Sequence, residues 1–145
     1  MALKRVCVSF DFEHDKEYYY LLKAWNGNPN IPFWITDCTP NEIQTESVSK
    51  VKQVLSTKIG EAKYMIVLVG RHSDERHPDY KEIGYKNWQA YEIAKNIEKG
   101  NKLVVVKLDR SYLAPDEAYG IGAEWVNSFN LDDIKDALDK LMRKA

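Results

Sequence analysis

Residues 64–69 read Tyr-Met-Ile-Val-Leu-Val and end at Gly70, so that apolar, β-prone residues follow one another without a break. A strand that is buried on both faces has this composition, and such strands are typical of parallel sheets covered by helices. Residues 103–106, Leu-Val-Val-Val, are a second run of the same kind. We therefore predict that these two runs form the centre of a parallel sheet.

Weaker strand signals and helical periodicities surround the two runs. Further β-prone stretches predict strands at Val6–Phe10, Phe33–Thr36 and Glu124–Val126. Apolar residues at helical spacing predict helices at 15–25, 48–59 (closed by Gly60), about 87–99 and 131–141. Strands that alternate with helices favour one domain over residues 1–145. Its predicted fold is a flavodoxin-like, doubly wound α/β sheet in three α/β/α layers, with five parallel strands in the order 2-1-3-4-5.

The helical spacing also predicts which helix faces meet the sheet. In the first helix the expected core stripe is Tyr18, Leu21, Leu22 and Trp25, and in the third it is Ala90, Ile93, Ala94 and Ile97. Trp88 and Glu92 are four residues apart, so they are neighbours on one face of the third helix. That face points roughly away from the stripe. Trp88 is then either covered by the polar stretch 71–86 or left for a ligand.

Composition limits the classes of protein to which this chain belongs. Its 145 residues suit one domain, and 44% of them are apolar, which is enough for a core. Lys and Arg number 21 and Asp and Glu 22, so charge offers no case for binding nucleic acid or an anionic membrane. No apolar stretch is as long as a membrane span, and no signal peptide is visible. Cys7 and Cys38 lack metal-ligand spacing, and these features together predict a reducing, cytoplasmic location.

In an open α/β sheet, ligands bind beyond the carboxyl ends of the strands, where the strand order reverses. The candidates for a site are the side chains that follow the strands or begin the third helix: Asp11, His14, Asp37, Arg71, His72, Trp88 and Glu92. The histidines lack the spacing of a zinc site, so no metal is expected. The acidic residues at 11, 13 and 15 are reminiscent of a phosphorylation receiver domain. Val69-Gly70 stands where a receiver has its acceptor Asp, which argues against that class.

Two stretches resemble a known family. Residues 88–93, Trp-Gln-Ala-Tyr-Glu-Ile, resemble the TIR-domain signature in which a Trp precedes a Glu by four residues at the start of the third helix. Residues 6–15 are similar to the opening of one TIR-like subgroup, which includes ThsB of the Thoeris anti-phage defence system. The resemblance runs from about Lys4 to the last helix. It departs from the family pattern at Lys86, where many TIR domains have Ser, and in residues 37–42, which lack a Pro-Gly pair.

The resemblance implies an NAD-consuming enzyme, of the NAD glycohydrolase or ADP-ribosyl cyclase type. In such enzymes the signature Glu, here Glu92, is the catalytic residue that cleaves the nicotinamide N-glycosidic bond. The product would be an ADP-ribose-type signal, linear or cyclic, that acts in phage defence. NAD would be a substrate, and no cofactor is expected. Phe10 and Trp34 are candidates for aromatic walls and Asp11 and Asp37 for polar contacts, with Arg71 and Trp88 as further contacts of the substrate.

Two other functions remain open at this point. TIR-like domains also act as assembly modules that bind one another, or another TIR-like protein, without catalysis. The departures at Lys86 and after the second strand favour this alternative. A nucleoside-processing transferase of similar fold and carboxylate chemistry is the third hypothesis. Self-association into a homo-oligomer, or assembly in response to a trigger, is expected for the first two.

Overall fold

The computed structural model describes residues 4–40 and 47–143 of the chain. In these ranges the strands are β1 (Lys4–Ser9), β2 (Phe33–Asp37), β3 (Tyr64–Val69), β4 (Lys102–Lys107) and β5 (Glu124–Val126). The α-helices are α1 (Phe12–Lys23), α2 (Val48–Ala62), α3 (Tyr80–Ile83), α4 (Trp88–Glu98) and α5 (Leu131–Arg143). Short 3-10 turns cover Ala24–Gly27 and Asp116–Ala118. The prediction about the loop at residues 37–42 falls partly on residues 41–46, which lie outside the described residues.

The sheet is parallel throughout, with the strand order β2-β1-β3-β4-β5. The predicted order and the flavodoxin-like, three-layer α/β/α fold are therefore confirmed. Residues 65–69 of β3 and 103–106 of β4 are buried, as their unbroken apolar composition predicts. In the described ranges no helix combines the length and the apolar character that a membrane crossing requires.

Side chains alternate between the two faces of the sheet, and this alternation builds two cores. Val6, Val8 and Phe10 pack with α1 and α5 on one face. Cys7 lies on the other face, with Ile59 of α2 and Ile93 of α4. The end of β1 therefore presents consecutive side chains to opposite layers, and this separation decides where the candidate site residues lie.

The expected core stripe of α1 is wrong in two of its members. Tyr18 is 36% and Leu21 52% exposed, whereas Asp15, Tyr19 and Leu22 are buried. These buried residues are also spaced as one helix face, but a carboxylate occupies the first position. A prediction that counts only apolar residues therefore selects a helix face that is rotated away from the buried one. The burial of Asp15 is the first indication that α1 has more than a packing role.

The prediction that Gly60 closes the second helix is also wrong. The helix continues to Ala62, and Lys63 ends it in the left-handed conformation, with φ 75°. Gly60 lies inside the helix and faces Lys99, where a Cβ would come within 3.3 Å of the Lys99 Nζ atom. A methyl group at this position would require only a small shift of the flexible Lys99 side chain.

Candidate functional site

The start of α4 is tied to the polar stretch that follows β3. The Asn87 side chain caps the helix by accepting a hydrogen bond from the Ala90 N–H at 2.9 Å. Its amide nitrogen donates to the carbonyl oxygens of Ser73 and Glu75, both at 2.8 Å. One side chain therefore fixes both the helix terminus that carries Trp88 and the segment that faces it.

The buried face of α4 is not the predicted one. Ile97 is 40% exposed, whereas Gln89, Glu92 and Asn96 are buried together with Ala90 and Ile93. Glu92 therefore points into the protein, and the expectation that it faces away from the core is wrong. The physical reason is that α4 is covered from two directions. The sheet covers one side, and Tyr91 packs against Leu55 of α2 on another, so that the buried surface includes polar positions.

Glu92 is fully buried at the carboxyl end of β1. Its Oε1 atom accepts a hydrogen bond from the Ser9 hydroxyl at 2.6 Å, and its Oε2 atom has no hydrogen-bond partner among the described residues. Burial raises the pKa of this carboxyl well above its usual value, against the lowering effect of the Ser9 hydrogen bond. The negative charge of Asp37 raises it further, and Lys58 opposes this. The arrangement thus favours the neutral, protonated form of Glu92.

Gln89 lies one turn before Glu92 and joins the ends of two strands. Its amide nitrogen donates to the carbonyl oxygen of Leu68 at 2.9 Å and to that of Ser9 at 3.4 Å. The residue therefore contacts the same strand end as Glu92. Gln89 also lines the cavity described next, which Glu92 does not.

A cavity of about 630 Å³ lies beyond the end of β1, and we call it the strand-end cavity. The start of α1, residues 39–40, the stretch after β3 and the start of α4 surround it. Its lining includes Phe10, Asp11, Phe12, His14, Thr39, Pro40, His72, His77, Trp88 and Gln89. Its size is within the range of small-molecule sites, which are commonly 300–1,000 Å³.

Aromatic rings form two walls of the strand-end cavity. Phe10 stacks on Tyr19 with ring centroids 4.7 Å apart, and Trp88 is half-buried, edge-on to His77 at 6.3 Å. The Phe10 N–H donates to the Thr39 hydroxyl at 2.8 Å, which holds the segment after β2 against β1. Trp88 is thus partly covered by the polar stretch and also faces the cavity.

Titratable side chains gather at the start of α1. Asp11 caps the helix by accepting from the Glu13 N–H at 3.1 Å, and it pairs with His14 Nδ1 at 2.7 Å. The hydrogen bond to Asp11 raises the pKa of His14. The His14 ring stacks on that of His72, with centroids 3.9 Å apart. These contacts join α1 to the stretch after β3.

Sequence reasoning missed the role of Asp15, which lies beside this histidine pair. Burial, and next the charge of Asp11, raise the pKa of Asp15 to about 6, while His14 and His72 oppose the shift. Its Oδ2 atom has no hydrogen-bond partner among the described residues. It occupies the position where a Cβ on Gly70 would lie, so that only glycine fits there. An Asp at a buried helical position and a Gly at the end of β3 are the signals that could have indicated this pair.

The structure separates the predicted site residues into groups. Phe10, Asp11 and Trp88 line the strand-end cavity, as do His14 and His72. Glu92 lies outside the lining and is linked to it through Ser9 and Gln89. Arg71 is exposed and does not line the cavity. Hydrogen bonds from Ser111 lower the pKa of Asp109, and the charge of Arg71 adds a smaller effect in the same direction.

Trp34 and Asp37 lie in a second cavity of about 500 Å³, which we call the edge groove. It runs along β2 between α1 and α2. Its lining includes Arg5, Tyr19, Lys23, Asn26, Trp34, Thr36, Asp37, Lys58 and Glu61. Trp34 is 42% exposed, and Asp37 pairs with Lys58 at 3.5 Å. Trp34 and Asp37 are thus not brought together with Phe10, Asp11 and Trp88.

In residues 4–40 and 47–143, no three His, Cys, Asp or Glu side chains are grouped so as to hold a metal ion. The chemical groups that the site offers are therefore carboxyls, imidazoles, a hydroxyl and aromatic rings.

The fold and the Trp88–Glu92 helix start at the strand ends define the class of this protein as a TIR-like α/β domain. The chain belongs to the Thoeris protein ThsB, TIR-like domain family, whose model matches residues 7–112.

Solved structures of similar fold extend over nearly the whole chain. A 2-desoxiribosyltransferase from Leishmania mexicana is 12% identical, with a TM-score of 0.61 over 93% of this chain and 97% of that one. A 3-dehydroquinate dehydratase-like protein from Bifidobacterium longum is 11% identical, with a TM-score of 0.50 over 99% and 97%. At these identities the likenesses show the fold alone. No curated protein matches the sequence.

Proposed function

We propose that this chain cleaves the N-glycosidic bond between nicotinamide and ribose in NAD. The product would be an ADP-ribose-type signal, linear or cyclic, in Thoeris anti-phage defence. The observation that carries the proposal is the placement of Glu92. This carboxyl lies at the end of β1, bonded to Ser9, next to a cavity with the aromatic walls Phe10 and Trp88. Membership of the ThsB family supports the same reading of the Trp88–Glu92 spacing.

The chemistry needs a carboxylate close to the ribose. When the bond breaks, its electron pair leaves with the nicotinamide nitrogen, which departs neutral, and the ribose becomes oxocarbenium-like. A nearby carboxylate stabilises that cation and binds the ribose hydroxyls. The Ser9 hydroxyl orients Oε1 of Glu92, whereas Oε2 is left without a described partner for the substrate to engage. Water, or a nucleophile of the same nucleotide, then attacks the ribose C1′ atom.

Access to Glu92 requires a rearrangement in this proposal. The side chain has no exposed surface, and Phe10, Thr39 and Gln89, which line the cavity, are hydrogen-bonded at the end of β1. Movement of these groups would hydrate the carboxyl and lower its raised pKa, because burial is the main cause of the shift. We therefore expect low basal activity that rises when the site opens.

The test is incubation of the purified chain with NAD, with nicotinamide release followed by chromatography. Protein concentration and added phage lysate are varied, because the trigger is part of the proposal. Glu92→Gln keeps the size of the side chain and removes its charge, so turnover should fall about a hundred- to a thousandfold. Glu98→Gln on the same helix is the matched control, because the Glu98 side chain is 66% exposed and pairs only with Lys95 among the described residues. Full activity of Glu92→Gln would contradict the proposal.

The alternative proposal is an assembly module that does not cleave NAD. The complete burial of Glu92 favours this alternative, because a carboxyl that no substrate reaches has a structural role. Under this alternative the wild type releases no nicotinamide in any condition, but it forms homo-oligomers, or complexes with another TIR-like protein, in light scattering. Glu92→Gln then changes stability without changing assembly.

A third proposal is a nucleoside-processing transferase, and the fold likeness to the desoxiribosyltransferase supports it. A carboxylate beside the ribose serves this chemistry in the same way. The distinguishing assay incubates the chain with a deoxynucleoside and a different free base. Base exchange without nicotinamide release from NAD would select this proposal over the first.

A further inference from the structure

The edge groove has no lining residue in common with the strand-end cavity in the described part of the chain. Its floor is the outer strand β2, and its sides are α1 and α2. Tyr19 lines the groove, and its ring stacks on Phe10, which lines the other cavity. The groove is therefore lined by a different set of residues, but it adjoins the candidate site through the Tyr19–Phe10 ring pair, and the charges of its Asp37 and Lys58 act on Glu92.

Trp34 gives the groove an exposed aromatic surface. Its neighbours on β2, Phe33 and Ile35, are buried at 1% each, whereas Trp34 is 42% exposed. The indole makes no ring contact with another aromatic side chain among the described residues. An open indole face at the edge of a cavity is suited to stacking a flat heterocycle.

Cationic side chains line the same groove. Arg5, Lys23 and Lys58 line the groove together with the carboxylates Asp37 and Glu61. Asp37 is already paired with Lys58 at 3.5 Å. In the described ranges Arg5 and Lys23 have no carboxylate within ion-pair distance. The Lys23 Nζ atom lies 6.0 Å from the centroid of the Tyr19 ring. The groove therefore combines an exposed indole with two cations that have no carboxylate partner among the described residues, which is the combination that a phosphorylated heterocycle requires.

A peptide strand is a poor occupant, because the edge of β2 is already capped. The Asn26 side chain accepts from the Ile35 N–H at 2.7 Å and donates to the Ile35 carbonyl at 2.8 Å. These are the bonds that an added strand would form, so Asn26 blocks strand addition at this position. The volume of about 500 Å³ suits a small molecule instead.

We propose that the edge groove is a second ligand site, which binds a nucleoside monophosphate with its base on Trp34 and its phosphate at Arg5 and Lys23. The site is independent of whether the chain cleaves NAD. A ligand there would press on Tyr19 and, through it, on the Phe10 wall of the strand-end cavity. The groove would thus let a nucleotide report on, or regulate, the other cavity.

The test is titration of the full chain with AMP in a calorimeter, with adenosine and inorganic phosphate as separate arms. We expect AMP to bind more tightly than either part, and its affinity to fall as salt rises. Trp34→Ala should weaken AMP binding about tenfold or more, since one stacked base contributes roughly 1–3 kcal/mol. Lys23→Glu should weaken AMP but not adenosine.

Trp125→Ala is the matched control, because Trp125 is 37% exposed but lies on β5 at the opposite edge of the sheet. It should bind AMP as the wild type does. The proposal is overturned if AMP does not bind, if Trp34→Ala binds it unchanged, or if Trp88→Ala removes binding while Trp34→Ala does not. The last result would assign AMP to the strand-end cavity.

Because Trp34 and Lys23 are exposed, both variants should fold, and circular dichroism checks this. Glu92→Gln must retain AMP binding, whatever the outcome of the NAD assay.

Discussion

The strand-end cavity and the edge groove differ in how they are built, although the sequence placed their residues in one cleft. β1 lies inside the sheet, so its end is enclosed by α1, the stretch after β3 and α4. β2 is the outer strand, so the groove beside it opens to the side. The rule that ligands bind beyond strand ends selects an edge of the sheet. It does not say which neighbouring side chains share one cavity.

The two regions also differ in the buried polar groups behind them. Asp15, Gln89 and Glu92 are buried near the strand-end cavity, and two of them have an oxygen without a described partner. The charged residues of the edge groove are mostly exposed. Burying a polar group without a partner is costly, so a protein retains such groups where they serve more than packing. The strand-end cavity therefore carries a cost in buried polar groups that the edge groove does not.

The largest effect on stability is expected at the contact that closes the first region. Gly70→Ala places a methyl group where the Asp15 carboxyl lies, and it should lower the free energy of unfolding by about 3 kcal/mol. Gly27→Ala is the control, because nothing lies within 4 Å of its Cβ position. Urea unfolding measures both. A Gly70→Ala variant as stable as the control would mean that Asp15 moves away without cost, and the contrast between the regions would weaken.

A smaller effect should follow from removing the Asp15 charge. The folded pKa is about 6 against a usual 3.8, so the folded state disfavours the ionised form. This penalty is absent at low pH and grows as the pH rises from about 4 to 6. Asp15→Asn should therefore raise the free energy of unfolding by about 2 kcal/mol at pH 7 and leave it nearly unchanged at pH 4. Equal effects at both pH values would show that ionisation is not the cause.

The separation of the two cavities can be tested on the NAD reaction itself. If the substrate lies against Trp88, Trp88→Ala should raise KM about tenfold, which corresponds to about 1.4 kcal/mol. Trp125→Ala, on the far strand, should leave KM within about twofold. Should Trp34→Ala raise KM as much as Trp88→Ala does, the two cavities would act as one substrate site and the comparison would fail.

The smallest effect concerns the helix caps. Asn87→Ala removes a cap of α4 and the bonds to Ser73 and Glu75, at a cost of about 1 kcal/mol in stability, and it should also raise KM. Asn130→Ala removes the cap of α5, where Asn130 accepts from the Asp133 N–H at 3.0 Å. It should cost a similar amount and leave KM unchanged. Thermal unfolding and initial rates on both variants measure the difference.

Local signals in the sequence predicted much of the fold. The runs at 64–69 and 103–106 have the composition of doubly buried strands, and alternation with helices leaves few topologies, so the strand order 2-1-3-4-5 is confirmed. Within the candidate site, the joint placement of Phe10, Asp11 and Trp88 was also predictable, because each lies directly at a strand end or helix start.

The faces of α1 and α4 could not be predicted, since their buried sides include polar residues. Periodicity counts apolar residues, and it therefore missed a face that contains Asp15 and another that contains Glu92. Whether a carboxyl is buried depends on elements far away in the chain, and local spacing carries no information about them.

Composition and spacing along short segments were enough to predict the class of the fold, the order of the strands and the edge where functional groups lie. By contrast, the burial of Glu92 against Ser9, 83 residues away in the chain, and the separation of Trp34 from Trp88 became visible only in the folded protein. Both outcomes depend on how side chains from distant segments pack together in the folded protein. No short stretch of sequence contains all the residues that pack at one place.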